Sequence, residues 1–150
     1  MPLARSFLYV PANREKFLEK AIGLPSDAFI FDLEDSVPPA EKANARAGVR
    51  AYAGKISDNR VWVRVNGLDT GFAEADLDAV IGVAGLAGLF LPKVETREEV
   101  ARWDVMIGAL EHARCCFDGR CVEGDNAVAR LVLAPAHVQQ LLDEIDVASS

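Results

Sequence analysis

Four short apolar runs, each passing into polar or charged residues, set the rhythm of this 150-residue chain. Phe7 to Val10 leads into Pro11-Ala12-Asn13-Arg14, Phe29 to Phe31 into Asp32-Leu33-Glu34-Asp35, Val61 to Val63 into Arg64-Val65-Asn66, and Leu89 to Leu91 into Pro92-Lys93-Val94-Glu95. Runs of this length, rich in β-branched and aromatic residues, read as buried strands. The segments between them read as helices. Asn13 is placed to cap one from about Arg14 to Ile22, with Phe17, Leu18 and Ala21 on its apolar stripe. Pro38 and Pro39 open a second that runs through Glu41 to about Tyr52, and an acidic third spans about Ala73 to Ile81. Thr96 and Glu99 form a capping box before a fourth, Arg97 to about Leu110. Parallel strands need long, normally helical crossovers, so this alternation predicts an α/β chain built on a parallel sheet. The polar residues gather at the C-terminal ends of the strands, the edge on which βα barrels carry their sites.

From about His112 the alternation stops. Cys116-Phe117-Asp118-Gly119-Arg120 reads as a turn, and Asn126 to Asp143 as a mostly helical tail interrupted by Pro135. A closed eight-unit barrel takes about 250 residues, and at least about 200. The expected fold is therefore a partial TIM-type (β/α) barrel, about four βα units followed by a C-terminal helical tail. Residues 1–150 are read as a single truncated domain, with regular units over 1–110 and the tail over 111–150.

Composition narrows the function. With 51% hydrophobic and 26% charged residues, the chain has ordinary globular material for a core. A net charge of -7 and a pI near 4.8 argue against nucleic acid and anionic membranes as partners. No apolar stretch approaches the roughly 20 residues of a membrane span, and Arg5 crowds any leader, so a cytoplasmic location is expected. His112, Cys115, Cys116 and Cys121 lack the paired hooks of a structural zinc site, and the cysteines read as reduced thiols.

The chemistry lies at the strand ends. Strand alternation puts Asp32 and Glu34 on one face and Leu33 and Asp35 on the other; it likewise groups Arg64 with Trp62 and Asn66, and Lys93 with Glu95. Acids that end a strand of Phe29, Ile30 and Phe31 are costly there unless water, a cation or a basic partner meets them, and Arg64 and Lys93 on the neighbouring strands are the natural partners. Taken singly, each of these charges reads equally well as a structural ion pair on the sheet rim. Taken together, an arginine beside several carboxylates can hold a substrate carboxylate in a bidentate contact. Tyr9, Arg14, Lys16 and Lys20 make a small basic group in an acidic chain. Lys16 and Lys20 share one helical face, either as solvated charge or as a cradle for a phosphate-bearing cofactor.

The runs Tyr9-Val10-Pro11-Ala12-Asn13-Arg14, Asp32-Leu33-Glu34-Asp35-Ser36-Val37 with Lys42 and Arg46, Val63-Arg64-Val65-Asn66, and Leu91-Pro92-Lys93-Val94-Glu95 resemble the HpcH/HpaI aldolase and citrate lyase beta-subunit family. The likeness covers about the first hundred residues and is greatest toward stand-alone citrate lyase beta-like proteins. It implies magnesium-assisted cleavage of a carbon–carbon bond in a short hydroxyacyl-CoA thioester of the malyl-CoA or citramalyl-CoA type, by a homo-oligomer. Carried over at matching positions, it implies that Tyr9, Lys16 and Lys20 contact the CoA thioester and that Arg64 holds the acyl carboxylate. Glu34 and Asp35 would support the magnesium site, and Glu123 stands where the family has a catalytic aspartate supplied by a neighbouring subunit. The stretch carrying the family's two principal magnesium ligands has no counterpart between about Leu110 and Cys116, so the ligands themselves are unassigned. The alternative reading is a catalytically inactive CoA-thioester-binding or remnant protein without the metal site.

Overall fold

The computed structural model describes residues 4–118 and 130–133, with side chains described over 4–113. Five strands, β1 (Phe7–Pro11), β2 (Ala28–Asp32), β3 (Val61–Arg64), β4 (Leu86–Leu91) and β5 (Arg130–Leu133), form one parallel sheet in sequence order. The crossovers are helices α1 (Glu15–Ile22), α2 (Lys42–Tyr52), α3 (Ala73–Val80) and α4 (Arg97–Asp118). The architecture is α/β, a partial (β/α) barrel.

Alternation along the strands separates two faces. Val10, Phe29, Phe31, Val61, Val63, Leu89 and Leu91 are buried in one core with Leu18, Ala45, Val49, Leu77, Val80 and Trp103 from the helices. The other face carries Phe7, Tyr9, Trp62 and Phe90. Phe7 meets Phe90 edge-on at 6.1 Å between ring centroids, although β1 and β4 stand three places apart in the sheet. A flat sheet would hold those strands about 14 Å apart, so their meeting shows the sheet curled toward this inner face.

Two glycines permit the close approach of helix to sheet. A Cβ on Gly48, in α2, would fall 2.2 Å from the carbonyl oxygen of Ala12, on the turn after β1. Gly85 enters β4 with φ +83, and a Cβ there would meet the Ala53 carbonyl oxygen at 2.6 Å. Only glycine suits both the backbone angle and the space at position 85.

The helices fall close to their expected places, and three local readings change. Arg14, not Asn13, occupies the cap position of α1, while the Asn13 amide is buried and donates to Glu41 at the start of α2. α4 runs on through Cys116 and Phe117, where a turn was expected, because nothing before Gly119 breaks it. Arg130–Leu133, expected to be helical, forms β5 against Gly88–Leu91 of β4. Leu131-Val132-Leu133 followed by Pro135 repeats the pattern of Leu89-Phe90-Leu91 followed by Pro92, and that short apolar run was the available strand signal. The remainder of the expected tail lies outside the described residues.

Candidate functional site

Strand register builds the site. Pro11, Asp32, Arg64 and Phe90 stand side by side at the last rung shared by β1 to β4, so Asp32 and Arg64 are direct neighbours at the C-terminal edge. Arg64 donates from Nε to Asp32 Oδ1 at 2.8 Å and from Nη2 to Asp32 Oδ2 at 2.7 Å, a bidentate fork. Its Nη1 lies 3.2 Å from Glu34 Oε2 and 3.4 Å from Asp35 Oδ2. Lys93 completes the group, with Nζ 3.2 Å from Glu34 Oε1 and 3.9 Å from Asp35 Oδ1. The Tyr9 ring lies 5.0 Å from the Arg64 guanidinium carbon, within range of a cation–π contact.

Burial grades the group from inside to outside. Asp32 is 1% exposed and Glu34 7%, whereas the Asp35 and Lys93 side chains are 64% and 75% exposed. Burial works to raise the Asp32 carboxyl. Hydrogen bonds from Arg64, from the Ser36 and Glu34 N–H groups, and the Arg64 charge outweigh it and hold the carboxyl below its usual range. The same hydrogen bonds to Asp32 push Arg64 up, against its own desolvation. The bond to Glu34, with the charges of Glu34 and Asp35, pushes Lys93 up. Lys93 also holds φ +51, a left-handed conformation uncommon outside glycine and asparagine and concentrated at functional positions.

Strand parity accounts for Asp32 and Arg64 standing together, and not for Glu34 and Lys93, which lie past the ends of β2 and β4; Lys93 has the parity of core-facing Leu89 and Leu91. Parity also fails for Asp35, which reaches Arg64 too, because β2 ends at Asp32 and the chain turns, with Val37 N–H donating to the Glu34 carbonyl. Tyr9 joins the group from β1. Lys16 and Lys20 lie exposed on α1. Glu123 lies outside the described residues, as do the side chains of Cys115, Cys116 and Cys121. Asp76 was missed as a buried group; it shares the stripe of Ala73, Leu77 and Val80 on α3, which was the signal for it.

Three carboxylates here face two cations, and each acid touches a guanidinium or an ammonium. Among the described residues no group of three or more His, Cys, Asp or Glu side chains is arranged to hold a metal ion. The acids present are therefore committed to cations of the chain itself and do not by themselves make a magnesium site. Among the described residues, too, no helix is long and apolar enough to cross a membrane.

Residues 5–134 match the HpcH/HpaI aldolase/citrate lyase family. The chain belongs to that family. Within the HpcH/HpaI group it is similar to a (3S)-malyl-CoA thioesterase of Cereibacter sphaeroides, with 45% identity over 92 residues, 60% of this chain and 32% of that protein. It is also similar to an L-malyl-CoA/beta-methylmalyl-CoA lyase of the same organism, 35% identical over 114 residues, 73% of this chain and 36% of the lyase. The chain thus spans about a third of the length of these curated relatives. Among solved structures it resembles the CitE protein of Mycobacterium tuberculosis crystallised with magnesium, acetoacetate and coenzyme A. That likeness has a TM-score of 0.57 and 33% identity, and it covers 68% of this chain and 37% of that one.

Proposed function

We propose that this HpcH/HpaI family chain recognises a short hydroxyacyl-CoA thioester of the malyl-CoA or citramalyl-CoA type, as part of a carbon–carbon lyase. The observation that carries the reading is Arg64, anchored through one edge of its guanidinium by buried Asp32, with Nη1 turned toward the exposed carboxylate of Asp35. A free acyl carboxylate entering from solvent takes the place of Asp35 on Nη1, because Asp35 is the most exposed of the three acids and makes the longest contact with Arg64. Tyr9, stacked near Arg64, flanks the acyl group. Lys16 and Lys20 carry charge along α1 for the phosphates of the CoA portion. Glu34 and Lys93 frame the far side of the acyl group, and Glu123 is assigned as the carboxylate that a neighbouring copy brings to it.

The names of the relatives support a CoA thioester and leave two bonds in contention. Lyase action on malyl-CoA breaks the carbon–carbon bond and yields glyoxylate and acetyl-CoA. Thioesterase action adds water across the thioester and yields malate and free CoA. We assign the lyase products to this chain, and magnesium to its reaction on the likeness to magnesium-bound CitE, with no step derived through the metal from the residues described. The commitment of Asp32, Glu34 and Asp35 to Arg64 and Lys93 favours one alternative, a protein that binds the thioester without cleaving it.

Calorimetric titration of malyl-CoA, followed by product analysis with magnesium, tests the reading. Arg64→Lys, which keeps the charge and loses the planar fork, is expected to weaken binding about tenfold or more. Unchanged affinity in that variant removes Arg64 from recognition. Binding without any product establishes the alternative, and malate with free CoA as products replaces the lyase assignment by the hydrolase.

A further inference from the structure

Behind the site lies a buried polar network that recognition does not touch. Lys42, 6% exposed, stands at the first turn of α2. Its Nζ donates to the Leu33 carbonyl at 2.6 Å and to the Glu34 carbonyl at 2.7 Å. Asn66 Nδ2 donates to the same Leu33 carbonyl at 2.9 Å and to Asp76 Oδ2 at 2.6 Å, and the Asn66 backbone N–H reaches that oxygen at 2.8 Å. Asp76 is fully buried on α3 and takes a further bond, 2.7 Å long, from Arg46 Nε on α2. Phe72 covers the network, with its ring 5.8 Å from Lys42 Nζ and 5.9 Å from the Arg46 guanidinium carbon.

A lysine is seldom buried without a carboxylate partner, because desolvating its charge is costly. Here burial drives the ammonium below its ordinary pKa, and the charges of Asp76, Asp32, Glu34 and Asp35 pull the other way. Its short bonds go to main-chain oxygens instead. Those two carbonyls belong to the residues that carry the chain from Asp32 to Asp35. From its other side the same loop is held by Asp32, whose carboxylate accepts the Glu34 and Ser36 N–H groups. The loop is thus gripped through its amides by Asp32 and through its carbonyls by Lys42 and Asn66.

We propose that Lys42 and Asp76 are positioning residues for the acidic loop, Lys42 clamping its main chain directly and Asp76 acting through Asn66, so that Glu34 and Asp35 are presented to Arg64 and Lys93. The effect on ligand binding rests on the reading of Arg64 as the acyl-carboxylate site; the effect on the loop does not. Small displacements of groups that orient a ligand are expensive, which is why such supports matter.

Amide hydrogen exchange followed by NMR, together with calorimetric titration of malyl-CoA, tests the proposal on the 150-residue chain. In Lys42→Met the Glu34 and Ser36 amides are expected to exchange at least about tenfold faster, with those of Ile30, Phe31 and Val63 unchanged, and malyl-CoA affinity is expected to fall about tenfold. Lys42→Arg, which keeps charge and donors, restores most of the protection. Asp76→Asn, nearly isosteric, shows the same pattern centred on the Asn66 amide and serves if the methionine variant fails to fold. Equal loss at all amides, no loss at Glu34 and Ser36, or failure of both variants to fold overturns the positioning role. If the unmodified chain does not bind malyl-CoA, the recognition reading falls while the exchange pattern still decides this one.

Discussion

An arginine–aspartate pair stands at each end of the same sheet, and the two behave as different chemical objects. At the N-terminal edge Arg5 Nε lies 3.7 Å from Asp27 Oδ2, with side chains 88% and 34% exposed. Asp27 there accepts the Arg5 and Ser6 backbone N–H groups and the Ser6 hydroxyl, which fastens the entry to β1 onto the entry to β2. At the C-terminal edge Arg64 grips Asp32 through two bonds, with side chains 21% and 2% exposed. Water screens the first pair and leaves the aspartate a backbone acceptor, whereas the second has little water to replace a lost partner. Residue type does not separate the two edges. Burial and the number of partners do.

The largest expected break in that comparison is Arg64→Met, which leaves the buried Asp32 carboxylate with its backbone N–H donors but without its cation. It should cost about 3 to 5 kcal/mol of unfolding free energy, read from urea midpoints. A shift no larger than that of a surface variant would place Arg64 on the rim in energy as well as in position.

Next in size comes acid sensitivity. Asp32 is held below its ordinary value of 3.8. A carboxylate with a depressed folded pKa contributes stability that is fully present above the unfolded value and is lost as pH falls through the folded one. The Asp32 contribution should therefore be full at neutral pH, begin to fall below about pH 4 and be lost as pH drops through the depressed folded pKa. In unfolding curves taken across that range, Asp32→Asn should flatten the acid limb more than Asp27→Asn does; an equal effect would erase the contrast between the edges.

The smallest expected effect is at Arg5. Arg5→Ala should leave the unfolding midpoint where it is, in low salt and in high, since the backbone N–H donors of residues 5 and 6 to Asp27 remain. A clear loss in low salt that vanishes in high salt would show the exposed pair contributing through its charge.

The sheet and its parallel order were legible in the alternation of strands and helices, Glu34 and Lys93 as partners in their nearness to the ends of β2 and β4, and the Asp32–Arg64 pair because strand alternation is a local rule that holds to the last rung. It stops holding where the strand stops. Asp35 reaches Arg64 and Asn66 turns inward to Asp76 because β2 ends at Asp32 and β3 at Arg64, and beyond those points tertiary partners choose the direction of a side chain. Asp76 was hidden for a related reason: in an acidic helix its charge suggested water, while its place on the apolar stripe pointed to the interior. β5 was hidden by its length, since four residues are too few to distinguish a buried strand from a buried helical turn.

Lys93 carries one consequence further. Its backbone sits in a region that glycine or asparagine would occupy more comfortably, and its side chain meets mainly water on the side away from Glu34. A library selected for heat resistance alone would therefore tend to discard this lysine and return a sturdier protein with a missing ammonium at the mouth of its site. Under the function proposed above, position 93 is where robustness and usefulness pull the same codon in opposite directions.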